Sequence, residues 1–315
     1  MLVLQGREVV GSVPTMTERT RPPRVSVCTG RTKLIAKPRP YRGRVVKLVN
    51  TVDLKSTAAR LAGSSPAVPT NPRQRTPSIM PTPIRQAALL VGGRGTRLGA
   101  LTDTMPKPMA PVAGRPFLDW QIEDVARQGV THILLLAGYK AEQIVARYAE
   151  RIVRGATLEV LVEPDPLGTA GAIRLFAERW DERFYLMNGD TLFDVDLMDL
   201  PRHAGDALAT LALRRTAPGG RYGTVDLAAD GRVTGFLPRD PDRAGPINGG
   251  IYLVDRRITA RIGAGPVSLE ADVFPRLAEA GLLRGALYDG AFIDIGIPED
   301  LERAQTQIPE MQRDK

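Results

Sequence analysis

The stretch AALLVGGRGTRLG, residues 87–99, decides the fold class and locates the first candidate site. Ala87–Val91 is short and apolar, which predicts a buried strand, and the glycine-rich turn Gly92–Gly99 follows directly. Glycines after a strand let backbone N–H groups approach phosphate oxygens, and Arg97 and Lys107 can neutralise phosphate charge. The pattern favours a phosphate-binding loop over an ordinary strand-to-helix turn.

Two better-known phosphate motifs do not fit this loop. Leu98 stands where the dinucleotide pattern G-x-G-x-x-G, counted from Gly93, requires its last glycine. No Gly-Lys-Ser/Thr sequence follows, which excludes a P-loop. A turn without a ligand is the remaining alternative, and Pro106-Lys107 downstream argues against it.

Strands and helices alternate after this stretch, which predicts an α/β domain with a mostly parallel central sheet over residues 80–308 and a polar tail over 309–315. A turn at Asp230-Gly231 joins two further short strands, which indicates a small antiparallel part. The predicted helices are Phe117–Gln128, Ala141–Ala149, Thr169–Trp180, Leu269–Ala280 and one opened by Pro298. The predicted strands after the first are His132–Ala137, Leu158–Val162, Phe184–Met187, Ala207–Leu213, Gly223–Leu227, Val233–Leu237, Ile251–Val254 and Ala291–Asp294.

Composition excludes several classes of protein. The chain of 315 residues has no apolar run of the roughly 20 residues that a membrane helix needs. Its single cysteine, Cys28, excludes an internal disulfide framework, and its two histidines, His132 and His203, exclude a His/Cys zinc cluster. Any bound metal is therefore expected to have carboxylate ligands.

The net charge of +8 comes from the N-terminal segment. Residues 1–79 hold 15 of the 43 basic residues and 3 of the 35 acidic ones, so the rest of the chain is mildly acidic. We expect this segment to be a disordered basic leader. It is alternatively an Arg-rich targeting peptide, or the translation of a start placed too far upstream, with the native start at Met80. The last reading is favoured because residues 47–70 resemble the conceptual translation of a transfer-RNA gene.

Two acidic residues follow apolar strands. Asp190 comes in Asn188-Gly189-Asp190 after Phe184–Met187, and Asp294 lies in the apolar segment Phe292–Gly296. In open α/β sheets ligands gather outside the carboxyl ends of the strands, so these acids are expected near the glycine turn. Either acid alone is also compatible with a capping role. Together they predict Mg²⁺ bridged to substrate phosphates.

Residues 80–308 resemble the sugar-1-phosphate nucleotidylyltransferases over nearly their whole length. The resemblance rests on GRGTR at residues 93–97 followed by PKPMAPVAGRP at residues 106–116. Within that family, EPDPLGTAGAI, NGDTLFDVDL, INGGIYLVD, SLEADVFP and FIDIGIPED are most similar to the heptose-1-phosphate guanylyltransferases, with the mannose-1-phosphate guanylyltransferases next. The resemblance implies a Rossmann-like three-layer fold whose small antiparallel part binds the sugar.

The resemblance also implies a role for each matching residue. Arg97, Lys107, Asp190 and Asp294 would be catalytic, and the two aspartates would ligate Mg²⁺. The nucleotide would contact Val91, Gly92, Gly93, Gly95, Thr96, Glu163, Gly168 and Thr169. The sugar phosphate would contact Gly189, Arg239, Asn248, Gly249 and Glu270.

Two of these assignments carry an open question. Glu163 lies at the family's base contact, and a carboxylate there favours guanine by accepting both N1–H and N2–H, although it also accepts uracil N3–H. Many members have F-x-E-K where this chain has Phe236-Leu237-Pro238-Arg239. Arg239 would then replace the lysine that grips the sugar phosphate, but its proline neighbour alters the loop.

The implied reaction joins a sugar-1-phosphate to a nucleoside triphosphate, GTP being favoured, and releases pyrophosphate in the cytoplasm. The sugar stays open between heptose and mannose, and UDP- or dTDP-sugar synthesis is a further alternative. A non-catalytic nucleotide-sugar-binding regulatory protein is the alternative from another class, and the intact Arg97, Lys107, Asp190 and Asp294 argue against it. No nucleic-acid or membrane partner is expected, and the oligomeric state, including a homo-oligomer, stays open.

Overall fold

The computed structural model describes residues 83–217 and 221–313. The expectations for residues 1–79 and for a start at Met80 lie outside that part of the chain. Within it, no helix is long and apolar enough to cross a membrane.

The described residues form fourteen strands and seven α-helices. The strands are β1 (Gln86–Leu90), β2 (Pro111–Val112), β3 (Arg115–Pro116), β4 (His132–Ala137), β5 (Ile152–Val153), β6 (Ala156–Val162), β7 (Arg183–Asn188), β8 (Thr191–Phe193), β9 (Ala209–Thr216), β10 (Thr224–Leu227), β11 (Val233–Leu237), β12 (Gly245–Asp255), β13 (Leu283–Tyr288) and β14 (Phe292–Asp294). The helices are α1 (Leu101–Thr104), α2 (Phe117–Arg127), α3 (Ala141–Tyr148), α4 (Gly168–Leu175), α5 (Leu200–Ala204), α6 (Phe274–Glu279) and α7 (Pro298–Arg313).

Eight strands form one central sheet in the order β13-β9-β12-β7-β1-β4-β6-β5. Strand β1 pairs in parallel with β4 on one side and with β7 on the other. Strand β12 runs antiparallel to both of its neighbours, and β10 and β11 form a separate antiparallel pair. The predicted α/β fold, with a mostly parallel sheet and a small antiparallel part, is confirmed.

Side-chain alternation divides the hydrophobic core between the two faces of the sheet. Ala87 and Leu89 pack with residues of α2 and α3 on one face, whereas Ala88 packs with residues of α4 on the other. A strand that is buried on both faces needs apolar side chains at successive positions, which explains why β1 is an almost continuous apolar run.

The strand order reverses at β1, because the chain passes from β1 to β4 on one side and later reaches β7 on the other. Such a reversal leaves a crevice beyond the carboxyl ends of the strands. The glycine turn, which follows β1, therefore lies at the opening of this crevice.

Several elements differ from the sequence-based expectation, among them the unpredicted short strands β2, β3, β5 and β8 and the short helices α1 and α5. The edge strand β13 was not predicted, and the helix expected at Leu269–Ala280 begins as a π-helical turn over Leu269–Val273. Helix α7 continues past the expected domain end at residue 308 to Arg313. It continues because Met311 extends the apolar stripe of Ala304 and Ile308 and is only 8% exposed.

Candidate active site

A cavity of about 640 Å³ opens at the carboxyl ends of β1, β4, β6 and β7. Its lining comes from the loops that follow these strands and from the start of α4. Eleven of the residues singled out in the sequence line it: Gly92, Gly93, Gly95, Arg97, Lys107, Glu163, Gly168, Thr169, Gly189, Asp190 and Glu270.

The glycine turn and Lys107 depend on each other sterically. Gly95 has a φ of +63°, and a Cβ atom added there would lie 2.7 Å from the Cβ of Lys107. Any larger residue would therefore push the lysine stem away from the loop. Pro106 and Pro108 flank the lysine in a short 3-10 turn and restrict its backbone.

The Lys107 ammonium contacts both predicted metal-binding acids. Its Nζ lies 2.5 Å from Oδ2 of Asp190 and 4.0 Å from Oδ1 of Asp294. Lys107 is only 6% exposed, so these interactions are poorly screened by solvent. The structure thus brings together two acids that are far apart in the sequence.

Asp190 is positioned by the turn that carries it. The Gln121 side-chain amide, on α2, donates to the backbone carbonyls of Asn188 and Thr191, at 2.9 and 2.5 Å. Thr191 also donates its hydroxyl to Oδ1 of Asp190. The buried amide of Gln121 therefore holds the turn in place, a role that the sequence analysis missed.

Asp294 is positioned by two residues that the sequence analysis also missed. Arg221 lies 3.2 Å from Oδ2 of Asp294, and the Tyr222 hydroxyl donates to the same oxygen at 3.0 Å. Burial, together with the nearby Asp294 charge, raises the pKa of Tyr222, so its hydroxyl stays protonated and remains a donor. The backbone N–H of Gly296 donates to Oδ1 of Asp294.

The donor set fits Mg²⁺ better than a transition metal. Asp190 and Asp294 offer only oxygen atoms as metal ligands. The described residues contain no group of three or more His, Cys, Asp or Glu side chains placed to hold a metal. Mg²⁺ binds through one or two carboxylates and completes its coordination with water and substrate phosphates. Two converging carboxylates beside a glycine turn match that requirement.

Glu163 lines the cavity directly after β6, and its Oε1 would lie 3.1 Å from a Cβ atom added at Gly92. Its Oε2 accepts a hydrogen bond of 3.3 Å from the backbone N–H of Leu167. Burial raises the pKa of Glu163, and that hydrogen bond only partly offsets the effect. A half-buried carboxylate without an ion pair among the described residues is suited to accept N–H groups of a ligand.

A hydrogen-bonded network joins Glu270 to the start of α4. Thr169 donates its hydroxyl to Oε2 of Glu270 at 3.1 Å, and the backbone N–H of Leu269 donates to Thr169. The buried Tyr252 hydroxyl lies 3.5 Å from Oε1 of Glu270 and accepts from the side chain of Asn248. Asn248 thus reaches the cavity wall through Tyr252 and does not line the cavity itself.

Besides Asn248 and Asp294, four predicted contact residues lie away from the cavity lining. Val91 is fully buried, and Thr96 and Arg239 are exposed. Gly249 packs under Phe193, whose ring would lie 2.5 Å from an added Cβ. The roles expected for these four residues stay predictions.

Several lining residues were missed by sequence reasoning. Tyr139 follows β4 and Asn188 ends β7, so both lie at the carboxyl end of a parallel strand. That position is the signal that identifies them. Arg94 also lines the cavity, and its guanidinium lies 5.6 Å from the centre of the Tyr139 ring.

Known proteins resemble this chain in sequence and in fold. The profile of the nucleotidyl transferase family matches residues 86–311. A D-glycero-α-D-manno-heptose 1-phosphate guanylyltransferase from Aneurinibacillus thermoaerophilus is 37% identical over 227 residues, which cover 71% of this chain and 98% of that enzyme. A mannose-1-phosphate guanylyltransferase from Mycobacterium tuberculosis is 35% identical and is matched over 64% of its length.

A solved structure agrees with these sequence matches. HddC from Yersinia pseudotuberculosis, crystallised with GMP-PN, superposes with a TM-score of 0.64 at 30% identity. The superposition covers 70% of this chain and 98% of that one. With the profile match spanning most of the sequence, the chain belongs to the nucleotidyl transferase family.

Proposed function

We propose that this protein is a sugar-1-phosphate guanylyltransferase that makes a GDP-sugar and pyrophosphate from GTP and a sugar-1-phosphate. One observation carries the proposal: the Lys107 ammonium lies between the carboxylates of Asp190 and Asp294 at a glycine-lined cavity. Phosphoryl and nucleotidyl transfer depend on such a concentration of charged groups, because their substrates are polyanions.

The nucleophile in this reaction is a phosphate oxygen of the sugar-1-phosphate, which is ionised at neutral pH. It attacks the α-phosphorus of GTP as the bond to the leaving pyrophosphate breaks, so the protein needs no general base and no covalent intermediate. Catalysis then consists of positioning and charge neutralisation.

Arg97 and Lys107 neutralise the phosphates. Arg97 is exposed at the cavity and has no ion pair within the described residues, so its guanidinium is available to the β- and γ-phosphates and the departing pyrophosphate. Lys107, whose stem passes along Gly95, would lie over the reacting phosphates.

Asp190 and Asp294 would hold Mg²⁺. When bound, the ion would supply Lewis-acid neutralisation of the charge that develops on the phosphates. Gln121, Arg221 and Tyr222 keep the two carboxylates in place.

Glu163 would select the base. Burial raises the pKa of Glu163, and guanine offers N1–H and N2–H to such a half-buried carboxylate. The crystallisation of HddC with GMP-PN supports guanine further.

Glu270 would contact the sugar, and Asn248 would support Glu270 through Tyr252. We favour D-glycero-α-D-manno-heptose-1-phosphate, because two heptose-1-phosphate guanylyltransferases, at 37% and 34% identity, match this chain over 98% and 96% of their lengths. Mannose-1-phosphate is the second candidate, favoured by the 35% identical mannose enzyme. We keep the cytoplasm as the proposed location, because the reaction needs nucleoside triphosphates.

A pyrophosphate-release screen tests this function. Four nucleoside triphosphates are each combined with heptose-, mannose- and glucose-1-phosphate in the presence of Mg²⁺. The proposal requires the fastest release with GTP and the heptose, and release with GTP and mannose alone would favour the second sugar. Release with no pair would favour a non-catalytic nucleotide-sugar-binding protein.

A further inference from the structure

Lys107 occupies the space between the two carboxylates that would bind the metal ion. It is one of only two lysines in the described residues, and the other, Lys140, is partly exposed at the start of α3. The ammonium lies within 4.0 Å of an oxygen of each aspartate. A buried cation is therefore already present at the candidate metal site.

The protein holds both carboxylates in place. Asp190 accepts a hydrogen bond from Thr191, and Asp294 accepts hydrogen bonds from Tyr222 and from the backbone of Gly296. Oδ2 of Asp190 has Lys107 as its hydrogen-bond donor. The acids cannot turn away from the ammonium without losing these bonds.

A divalent ion and the ammonium cannot both occupy this position. Mg²⁺ approaches carboxylate oxygens to about 2.0–2.1 Å, whereas Lys107 Nζ lies 2.5 Å from Oδ2 of Asp190. Two cations on one carboxylate oxygen would repel each other strongly in a poorly screened site. A divalent ion at that oxygen would therefore weaken the contact with Lys107, so the two cations compete for Asp190.

The cavity offers the ammonium a second set of partners. The lysine stem passes along Gly95, and the same side chain lines the cavity with Arg97 and the glycine turn. A triphosphate bound there would present anionic oxygens to the end of a flexible four-carbon stem.

We propose that Lys107 is the internal counter-ion of the metal site in the nucleotide-free protein and competes there with the divalent ion. The triphosphate then draws Lys107 off the carboxylates and frees them for the metal. This inference rests on the proposed function, since it assumes that a nucleoside triphosphate is the cavity's ligand.

Coupling between the two ligands follows from this exchange. A nucleotide that removes Lys107 from Asp190 and Asp294 raises the affinity of the site for the divalent ion. By linkage, the divalent ion raises the affinity for the nucleotide by the same factor. In a protein without Lys107, the coupling between nucleotide and divalent ion that arises from this exchange is lost.

The test measures Mn²⁺ binding to the full-length, nucleotide-free protein by electron paramagnetic resonance of the free ion. The wild type is expected to bind Mn²⁺ weakly, and Lys107→Met at least tenfold more tightly. The matched control Lys140→Met removes the same charge elsewhere and is expected to bind like the wild type. In a Lys107→Met/Asp294→Asn double variant the gain should be lost, which assigns the binding to this site.

Each other result contradicts the proposal. Lys107→Met binding Mn²⁺ no more tightly than the wild type would overturn it, as would an equal gain in Lys140→Met. Lys107→Gln provides a second, polar variant with the same expected gain. If either variant unfolds without metal, the proposal requires Mn²⁺ to restore its folded structure, and no restoration overturns it.

A parallel activity assay separates this inference from the proposed function. If the wild type forms a GDP-sugar but Lys107→Met does not bind Mn²⁺ more tightly, the proposed exchange of Lys107 for the metal ion is refuted and the proposed function stands. If Lys107→Met binds Mn²⁺ more tightly but the wild type is inactive, the proposed function is refuted and the competition between Lys107 and the metal ion stands.

Discussion

At the level of single residues, the candidate site depends on three charged groups in direct contact. Thr191 donates a hydrogen bond to Asp190, Tyr222 donates one to Asp294, and Lys107 contacts both carboxylates. The two carboxylates therefore have positions fixed by residues that are not assigned to the substrate. Such fixed charges stabilise a transition state without reorganising during the reaction.

Replacing either aspartate with its amide is expected to remove most of the activity. Asp190→Asn and Asp294→Asn keep the size of the side chain but lose the charge that would hold Mg²⁺. We expect pyrophosphate release to fall by at least ~10²–10³-fold. The exposed Asp242→Asn serves as a control with unchanged activity. Near-normal release by either site variant at ordinary Mg²⁺ would refute the metal assignment.

Glu163 gives the site a dependence on pH. The proposed contact with guanine needs the ionised carboxylate, and burial raises the pKa of Glu163, so protonation begins at a higher pH than for an exposed glutamate. The KM for GTP is therefore expected to rise as the pH falls towards that pKa, while kcat changes less. Glu163→Gln should have a high KM for GTP at every pH. A wild-type KM that does not change with acidification would contradict the role of Glu163.

At the level of elements, sequence patterns predicted the sheet better than they predicted its edges. Strand β4 has the predicted bounds, and β1 is displaced by one residue, because both are buried on two faces and read as apolar runs. The edge strand β13 contains Arg284 and Gly285, which interrupt such a run. The π-helical turn at Leu269–Val273 follows from hydrogen bonds to Ser268 and contacts with α4, which no local pattern encodes.

Gly249 is expected to matter through packing. An added Cβ would lie 2.5 Å from the Phe193 ring and 2.8 Å from the carbonyl oxygen of Ala212. Gly249→Ala should therefore lose about 1–3 kcal/mol of stability, as overpacked sites do. Thermal unfolding measures the loss, and Gly263→Ala, where an added Cβ meets no atom within 4 Å, is the control. Equal melting temperatures for the two variants would contradict this packing.

The last turn of α7 is expected to contribute to stability. Met311 is buried with Ile308 and Ala304 in the small core cluster around α7. Met311→Ala should cost about 2 kcal/mol, which corresponds to a fall in melting temperature of about 4–8 °C for a domain of this size. The exposed Glu310→Ala is the matched control on the same turn. A Met311→Ala variant as stable as the control would show that the domain ends at residue 308.

At the level of the whole molecule, the candidate site is assembled from loops that only the topology brings together. The glycine turn, Lys107, Asp190 and Asp294 were predictable as separate motifs, and the rule for strand ends predicted that they meet. Arg221, Tyr222 and Gln121 were not predictable, because each acts on an aspartate or a turn that is remote in sequence. Their side chains give no signal until the fold is known.

The basic segment at residues 1–79 is expected to be dispensable for the reaction. The family match covers residues 86–311, and the described domain contains every residue assigned to the site. A chain that begins at Met80 should keep the activity of the full chain and show no affinity for DNA in a binding assay at low salt. Activity reduced by more than about tenfold, relative to the full chain, would mean that the segment takes part in the site.

The most direct test of the whole account is mass spectrometry of the products formed from GTP and D-glycero-α-D-manno-heptose-1-phosphate with Mg²⁺. The account predicts GDP-heptose and pyrophosphate in equal amounts from the wild type, and neither product from Asp190→Asn. The contradicting result is that GTP stays chemically unchanged after prolonged incubation, both with heptose-1-phosphate and with mannose-1-phosphate.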